Sequence, residues 1–167
     1  MNSPNVKKTC YLIGDSIING INETGIKNKK CDVKIKVHSG ATSDDVVDYV
    51  KPVIRKKPEK LIIHIGTNDL KKEIKTVDNI KQICDYTSSK SPNTEITLSL
   101  ITLRKDDHKL SEAVKLANER LKKFANKNKL PFIDNINIDE SCLSKGKLHL
   151  NRKGKSVLAN NFKRYIN

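Results

Sequence analysis

Residues 10–20 read Cys10-Tyr11-Leu12-Ile13-Gly14-Asp15-Ser16-Ile17-Ile18-Asn19-Gly20. The apolar run Tyr11-Leu12-Ile13 has the composition of a buried strand. It stops at Gly14, and after Asp15 and Ser16 the apolar residues resume at Ile17, Ile18 and Ile21. That is the pattern of a strand, a tight turn and a helix start. A serine on such a turn stands at the carboxyl edge of a sheet, where open α/β proteins bind ligands. It also stands beside backbone N–H groups at the positive end of a helix. Both features suit a hydroxyl that attacks a carbonyl and then needs its negative oxygen stabilised. The simpler reading of the same turn is that Asp15 or Ser16 only caps the helix, and the rest of the chain decides between the two.

Outward from this turn, Asn22–Lys30 is polar and turn-rich, and Asp32–His38 alternates apolar and polar residues as a strand with one exposed face does. Asp44–Arg55 sets Val46, Val47, Tyr49, Val50, Val53 and Ile54 on one broad helical face, with Thr42 or Ser43 as its cap and Asp44-Asp45 at its positive end. Pro52 inside this pattern predicts a kink or an early break. Leu61-Ile62-Ile63-His64-Ile65 is nearly continuous in apolar character, as a central parallel strand buried on both faces would be. A helix is expected over Val77–Ser88, a strand over Thr94–Leu103, a polar loop over Arg104–His108 and a helix over Leu110–Asn126. Phe132-Ile133 reads as a short fifth strand, Asn135–Lys147 as irregular, and Lys153–Ile166 as a closing helix. This alternation predicts an α/β fold: a three-layer α/β/α sandwich on a five-stranded parallel sheet, flavodoxin-like in order, with one domain over residues 1–167.

Composition narrows the partners. Lys and Arg total 33 against 19 Asp and Glu, a net charge of +14, which would attract an anionic partner. Nucleic acid is one candidate for that basic surface. The cations are scattered, however, and aromatics make up only 4% of the chain, which leaves few rings for base stacking. Cys10, Cys31, Cys84 and Cys142 form no C-x-x-C and have no zinc spacing. The first eight residues contain no apolar signal core, and no stretch reaches membrane-spanning length. The expected setting is therefore intracellular, cytoplasmic and reducing, with no transmembrane segment. No His, Asp and Glu cluster has metal-ligand spacing and no glycine-rich phosphate loop is present, so the expected site uses no metal and no cofactor.

Three polar turns follow the first three predicted strands: Gly14-Asp15-Ser16, Ser39-Gly40 and Gly66-Thr67-Asn68-Asp69. In a parallel sheet the carboxyl ends of all strands share one edge, so these turns should converge. Lys147-Leu148-His149-Leu150-Asn151, just before the last helix, can reach the same edge. In these blocks the chain resembles the SGNH-hydrolase, or GDSL-esterase, family over nearly its whole length. Gly14-Asp15-Ser16-Ile17 is similar to the family's first block, with Ile where Leu is usual. Gly40 falls at the glycine of the second, Gly66-Thr67-Asn68-Asp69 matches the third, and His149 resembles the histidine of the fifth. A narrower likeness, to the esterase-like domains of animal LINE-type retrotransposon proteins, rests on the Lys-rich and Asn-rich style around the blocks.

The resemblance implies acyl transfer to water. Ser16 would be the nucleophile and His149 its base and acid. The backbone N–H groups of Ser16 and Gly40 and the side-chain amide of Asn68 would form the oxyanion hole, while Asp15 and Asp69 brace their turns. In one respect the chain departs from the family: the usual Asp-x-x-His block reads Gly146-Lys147-Leu148-His149, without the acid that would hold the imidazole. A backbone carbonyl needs no special residue and is the expected substitute. Asp139 or Glu140 folding back from the preceding loop is the alternative. The expected function is hydrolysis of small, acetyl-type esters, of an acetylated carbohydrate or lipid, by a Ser–His dyad. The competing reading is a degenerate SGNH-like binding module held on nucleic acid or ribonucleoprotein by its charge. His64 is expected to be a hydrogen-bonded core histidine, His38 structural at a strand end, and His108 solvated.

Overall fold

Five parallel strands carry the apolar runs read from the sequence. The computed structural model describes residues 6–72 and 74–166. Within them lie β1 (Lys8–Gly14), β2 (Cys31–Val37), β3 (Lys60–His64), β4 (Glu95–Ser99) and β5 (Phe132–Ile133). They pair in the order β2-β1-β3-β4-β5, every pair parallel, the flavodoxin-like order of a doubly wound sheet. Residues 1–5, part of the stretch without an apolar signal core, lie outside the described residues.

Alternate side chains of each strand enter different cores because successive Cβ atoms point to opposite faces. Tyr11 and Ile13 of β1 and Leu61 and Ile63 of β3 join one cluster. Helices α2 (Ser43–Tyr49), α3 (Lys51–Ile54), α4 (Thr76–Lys90) and α5 (His108–Lys127) supply Val46, Ile54, Ile80, Ile83, Val114 and Leu121 to it. Cys10, Leu12 and Ile62 face the other way. There Ile26 of α1 (Glu23–Ile26) and Leu158 and Phe162 of α6 (Arg152–Ile166) complete a second cluster. The three layers follow directly from this two-sided burial.

The structure revises four local expectations. The helix expected over Asp44–Arg55 is two helices, α2 and α3, joined at Val50, because Pro52 has no N–H to continue the ladder. Tyr49, expected inward, is exposed and stacks on His38 with ring centroids 4.5 Å apart. The polar segment Asn22–Lys30 contains the single-turn helix α1, started by Asn22, whose side chain accepts from the N–H of Thr24. Strand β4 ends at Ser99 rather than Leu103, since its outer partner β5 has only two residues. The chain beyond it stays buried, with the N–H and carbonyl of Ile101 both bonded to the side chain of Asn118 at 2.9 Å.

Candidate active site

The edge where the strands end collects the polar turns, and each is fastened by identifiable bonds. After β1, Asp15 caps a 3-10 turn over Ser16–Ile18, its Oδ1 accepting from the N–H of Ile17 at 2.9 Å. Ile17 and Ile18 are buried beneath it, so the turn is clamped from below and Ser16 stays partly exposed. The N–H of Ser16, at the first position of the turn, has no acceptor within the turn itself. Asp15 is fully buried and its Oδ2 has no hydrogen-bond partner among the described residues. Burial pushes its carboxyl up to about 7, opposed by the bond from Ile17 and assisted by the negative charge of Asp69.

The second turn is bound to the first, the N–H of His38 donating to the carbonyl of Gly14 at 2.8 Å. Gly40 has φ +77° and a Cβ there would meet nothing within 4 Å. Backbone conformation, not crowding, therefore demands glycine. The N–H of Gly40 donates to no acceptor among the described residues. The third turn reaches the second through Asn68, whose Nδ2 donates one hydrogen to the carbonyl of Ala41 at 2.9 Å. An amide nitrogen carries two hydrogens, so one remains. Asp69, fully buried, accepts from the N–H of Ser43 at 2.8 Å and from the hydroxyl of Thr76 at 2.5 Å. Behind them the side chain of Asn79 donates to Ser43 Oγ and to Asp44.

His149 arrives from the other end of the chain. Leu143 and Leu150 pair as an antiparallel bridge, and the carbonyl of His149 accepts from the N–H of Ser144 at 2.8 Å. Asn151 closes the loop by donating to the carbonyls of Ser141 and Leu143 and by accepting from the N–H of Gly154, which caps α6. So fixed, Nε2 of His149 stands 3.3 Å from Oγ of Ser16, across 133 residues of sequence. The other ring nitrogen has no partner among the described residues. Asp139 is spent on Ser141 as the cap of the 3-10 turn Glu140–Cys142, and Glu140 pairs with Lys147 at 3.1 Å. Among the described residues, neither they nor a carbonyl bonds to the imidazole.

Arg104 is the residue that the sequence reading missed. Assigned to a polar loop, it is 2% exposed. Its guanidinium forks onto Asp106 at 2.8 and 2.6 Å and donates to the carbonyl of Thr67, beside Asn68, at 3.2 Å. The fork holds the Asp106 carboxyl below its usual value. The N–H of Lys105 donates to the carbonyl of Lys147 at 2.7 Å, so this loop bridges the third turn and the His149 loop. The nearest signal in the sequence is the spacing of Arg104 and Asp106. His64 is buried, with Nδ1 2.7 Å from Ser99 Oγ and its ring edge against Phe162, and burial pushes its imidazole down to about 4. His108 is exposed at the start of α5. No group of three or more His, Cys, Asp or Glu side chains among the described residues is arranged to hold a metal ion. No helix there is long and apolar enough to cross a membrane.

The family model for the GDSL-like lipase/acylhydrolase family matches residues 12–157. No curated protein matches the chain. Among solved structures, the fold is similar to that of a GDSL-like lipase from Bacteroides thetaiotaomicron, with a TM-score of 0.79 at 18% identity over 95% of this chain and 87% of that one. It is also similar to an acetylxylan esterase from Geobacillus stearothermophilus, with a TM-score of 0.76 at 17% identity over 95% and 94% of the two chains. An α/β hydrolase from the metagenome of Lake Arreo, Spain, covers 99% of this chain and 100% of its own at 16% identity, with a TM-score of 0.73.

Proposed function

The chain belongs to the GDSL-like lipase/acylhydrolase family, and from that premise we propose that it is a serine esterase acting on small carboxylic esters, acetyl esters above all, through a dyad of Ser16 and His149. The observation that carries this reading is the 3.3 Å approach of Ser16 Oγ to His149 Nε2, within the range of a nucleophile and its base in a ligand-free enzyme. Ser16 Oγ attacks the ester carbonyl while Nε2 takes its proton. The carbonyl oxygen becomes an oxyanion held by the N–H groups of Ser16 and Gly40 and the remaining amide hydrogen of Asn68. The imidazolium then protonates the departing alcohol as the tetrahedral centre collapses to an acyl-serine. A water molecule, deprotonated by the same imidazole, repeats the addition and releases the acid.

The dyad works without a fixed acid behind the imidazole, so the preformed donors carry a larger share of the rate. A short acyl group fits the absence of any long apolar insertion in the connecting loops. The test is hydrolysis of 4-nitrophenyl acetate together with covalent labelling by a fluorophosphonate. The expected result is turnover and labelling in the parent chain, both lost in Ser16→Ala, with turnover lost in His149→Ala. Turnover that survives Ser16→Ala would remove the reading. Steeply salt-dependent binding of nucleic acid with no turnover would replace it by the binding-module reading.

A further inference from the structure

Three clefts among the described residues differ in their charge. One of about 540 Å³, between the start of α4 and α5, carries Asp69 and Asp78 beside Lys75 and Arg120. A second of about 450 Å³ sets Glu119, Asp134 and Asp139 against Lys115 and Lys122. The third, about 490 Å³ between α1 and the first half of α6, is lined by Arg152 and Lys155 with the polar side chains of Asn22, Ser156 and Asn160, and by no carboxylate. Neither Arg152 nor Lys155 takes part in an ion pair among the described residues. They lie three apart on α6 and so share a face. Lys153, between them, is already engaged with Ser141.

The walls of this cleft lie a few residues along the chain from both members of the dyad. Gly20 lies four residues past Ser16, and Arg152 three residues past His149. Gly20 has φ +83°, and a Cβ on it would come within 2.9 Å of Lys155 Nζ, so glycine leaves the ammonium room against the backbone. The chain's charge of +14 adds a long-range field of the same sign.

We propose that the cleft between α1 and α6 is an anion subsite, so that the preferred substrate is an ester that also bears a phosphate or carboxylate group near the scissile bond. This rests on the esterase reading of Ser16 and His149. Arg152 is exposed and Lys155 half-buried; without acidic partners both keep donors available to an incoming anion, and Arg offers a planar fork to phosphate or carboxylate. The attraction is screened by salt.

Two matched pairs test it: acetylglycerol 3-phosphate against monoacetylglycerol, and O-acetylgalacturonate against O-acetylgalactose. The expected result is a kcat/KM about tenfold higher for the anionic member of at least one pair, shrinking as salt is added. The pair that responds identifies the phosphate or the carboxylate. In Arg152→Gln/Lys155→Gln the ratio collapses towards one, while Lys127→Gln, at the far end of α5, keeps the parent ratio. Calorimetric binding of glycerol 3-phosphate and of galacturonate reads the subsite apart from catalysis, and the double variant weakens it about tenfold. Equal kcat/KM within both pairs, or anion binding unchanged in the double variant, overturns the proposal. Failure of the esterase reading looks different: no ester is turned over and Ser16 takes no fluorophosphonate. Binding that the double variant still weakens would then keep the anion cleft and remove the dyad.

Discussion

On one side of Ser16 the turns bearing Gly40 and Asn68 are rooted in a buried polar network. Asp69 ties the third turn to the start of α2 and to α4, and Arg104 grips the carbonyl of Thr67 from behind. On the other side His149 is exposed, its loop fixed by backbone bonds and by Asn151, and its second ring nitrogen bonds to nothing among the described residues. The donor arm is stiff because its polar groups are paired where water is excluded, and loosening it would strand buried charge. The imidazole arm is stiff only in its main chain. On the proposed mechanism, a site divided in this way commits its ordering to the oxyanion, where charge stabilisation is usually the largest single contribution, and leaves the base to find its own orientation.

The comparison can be broken most severely at Asp15, in the turn of Ser16 and close enough to Asp69 to feel its charge. Its carboxyl binds a proton more tightly in the folded chain, at about 7, than in the unfolded one, where the ordinary value is 3.8. The stability it contributes is therefore fully present below about pH 4 and is lost as the pH rises through 7. The span corresponds to about 4 kcal/mol as an order of magnitude. Asp15→Asn keeps an oxygen to cap the 3-10 turn but cannot titrate. Denaturant unfolding across pH 4 to 8 should show a flatter profile for the variant than for the parent; parallel profiles would count against a buried, titrating Asp15.

Next in size is Arg104. Removing one member of a buried ion pair costs about 3 kcal/mol or more, so Arg104→Ala should lower the unfolding midpoint clearly. In a folded preparation it should lower kcat more than it raises KM, because the turn carrying Asn68 loses its support. Arg104→Lys should recover the charge without the fork, and with it only part of kcat. A variant with parent kcat would show that Asn68 keeps its position unaided.

Asn68→Ala deletes the proposed oxyanion donor together with the bond from its amide to the carbonyl of Ala41, and leaves the bonds to Asp69 in place. A loss of about a hundred- to a thousandfold in kcat is expected, with fluorophosphonate labelling of Ser16 retained. If kcat changed less than tenfold, the two backbone donors would suffice.

The smallest effect sharpens the other arm. Gly146 is exposed, and a Cβ added to it would meet nothing within 4 Å, so a carboxylate can be introduced there without crowding. Gly146→Asp should raise kcat about tenfold, a small part of the roughly ten-thousandfold that the acid of a full triad contributes. An unchanged rate would mean that the ring needs no further holding.

The sheet and its edge were legible because strands buried on both faces are spelled in nearly continuous apolar runs, as in Leu61–Ile65, interrupted only by His64. The turns after them were legible because glycine and short polar residues interrupt those runs. The break at Val50 was foreshadowed by Pro52. Arg104 was not legible. Its burial depends on the carbonyl of Thr67 arriving from a different strand, and a charged residue in a polar stretch carries no mark of that meeting. Thr76 and Asn79 were hidden for the same reason, being ordinary polar positions on a helix until Asp69 and Ser43 come within reach. That neither Asp139 nor Glu140 holds the imidazole ring could not be read from the loop, because each finds a nearer partner, in Ser141 and Lys147.

The pairing of Ser16 with His149 spans 133 positions. During translation the Ser16 hydroxyl emerges early and the His149 imidazole late, so a ribosome-bound chain halted before His149 carries half of the proposed dyad. If the esterase reading holds, any product shortened before His149 would be silent towards esters however well its sheet had formed. On that reading, ester turnover would report the docking of the His149 loop onto the finished sheet.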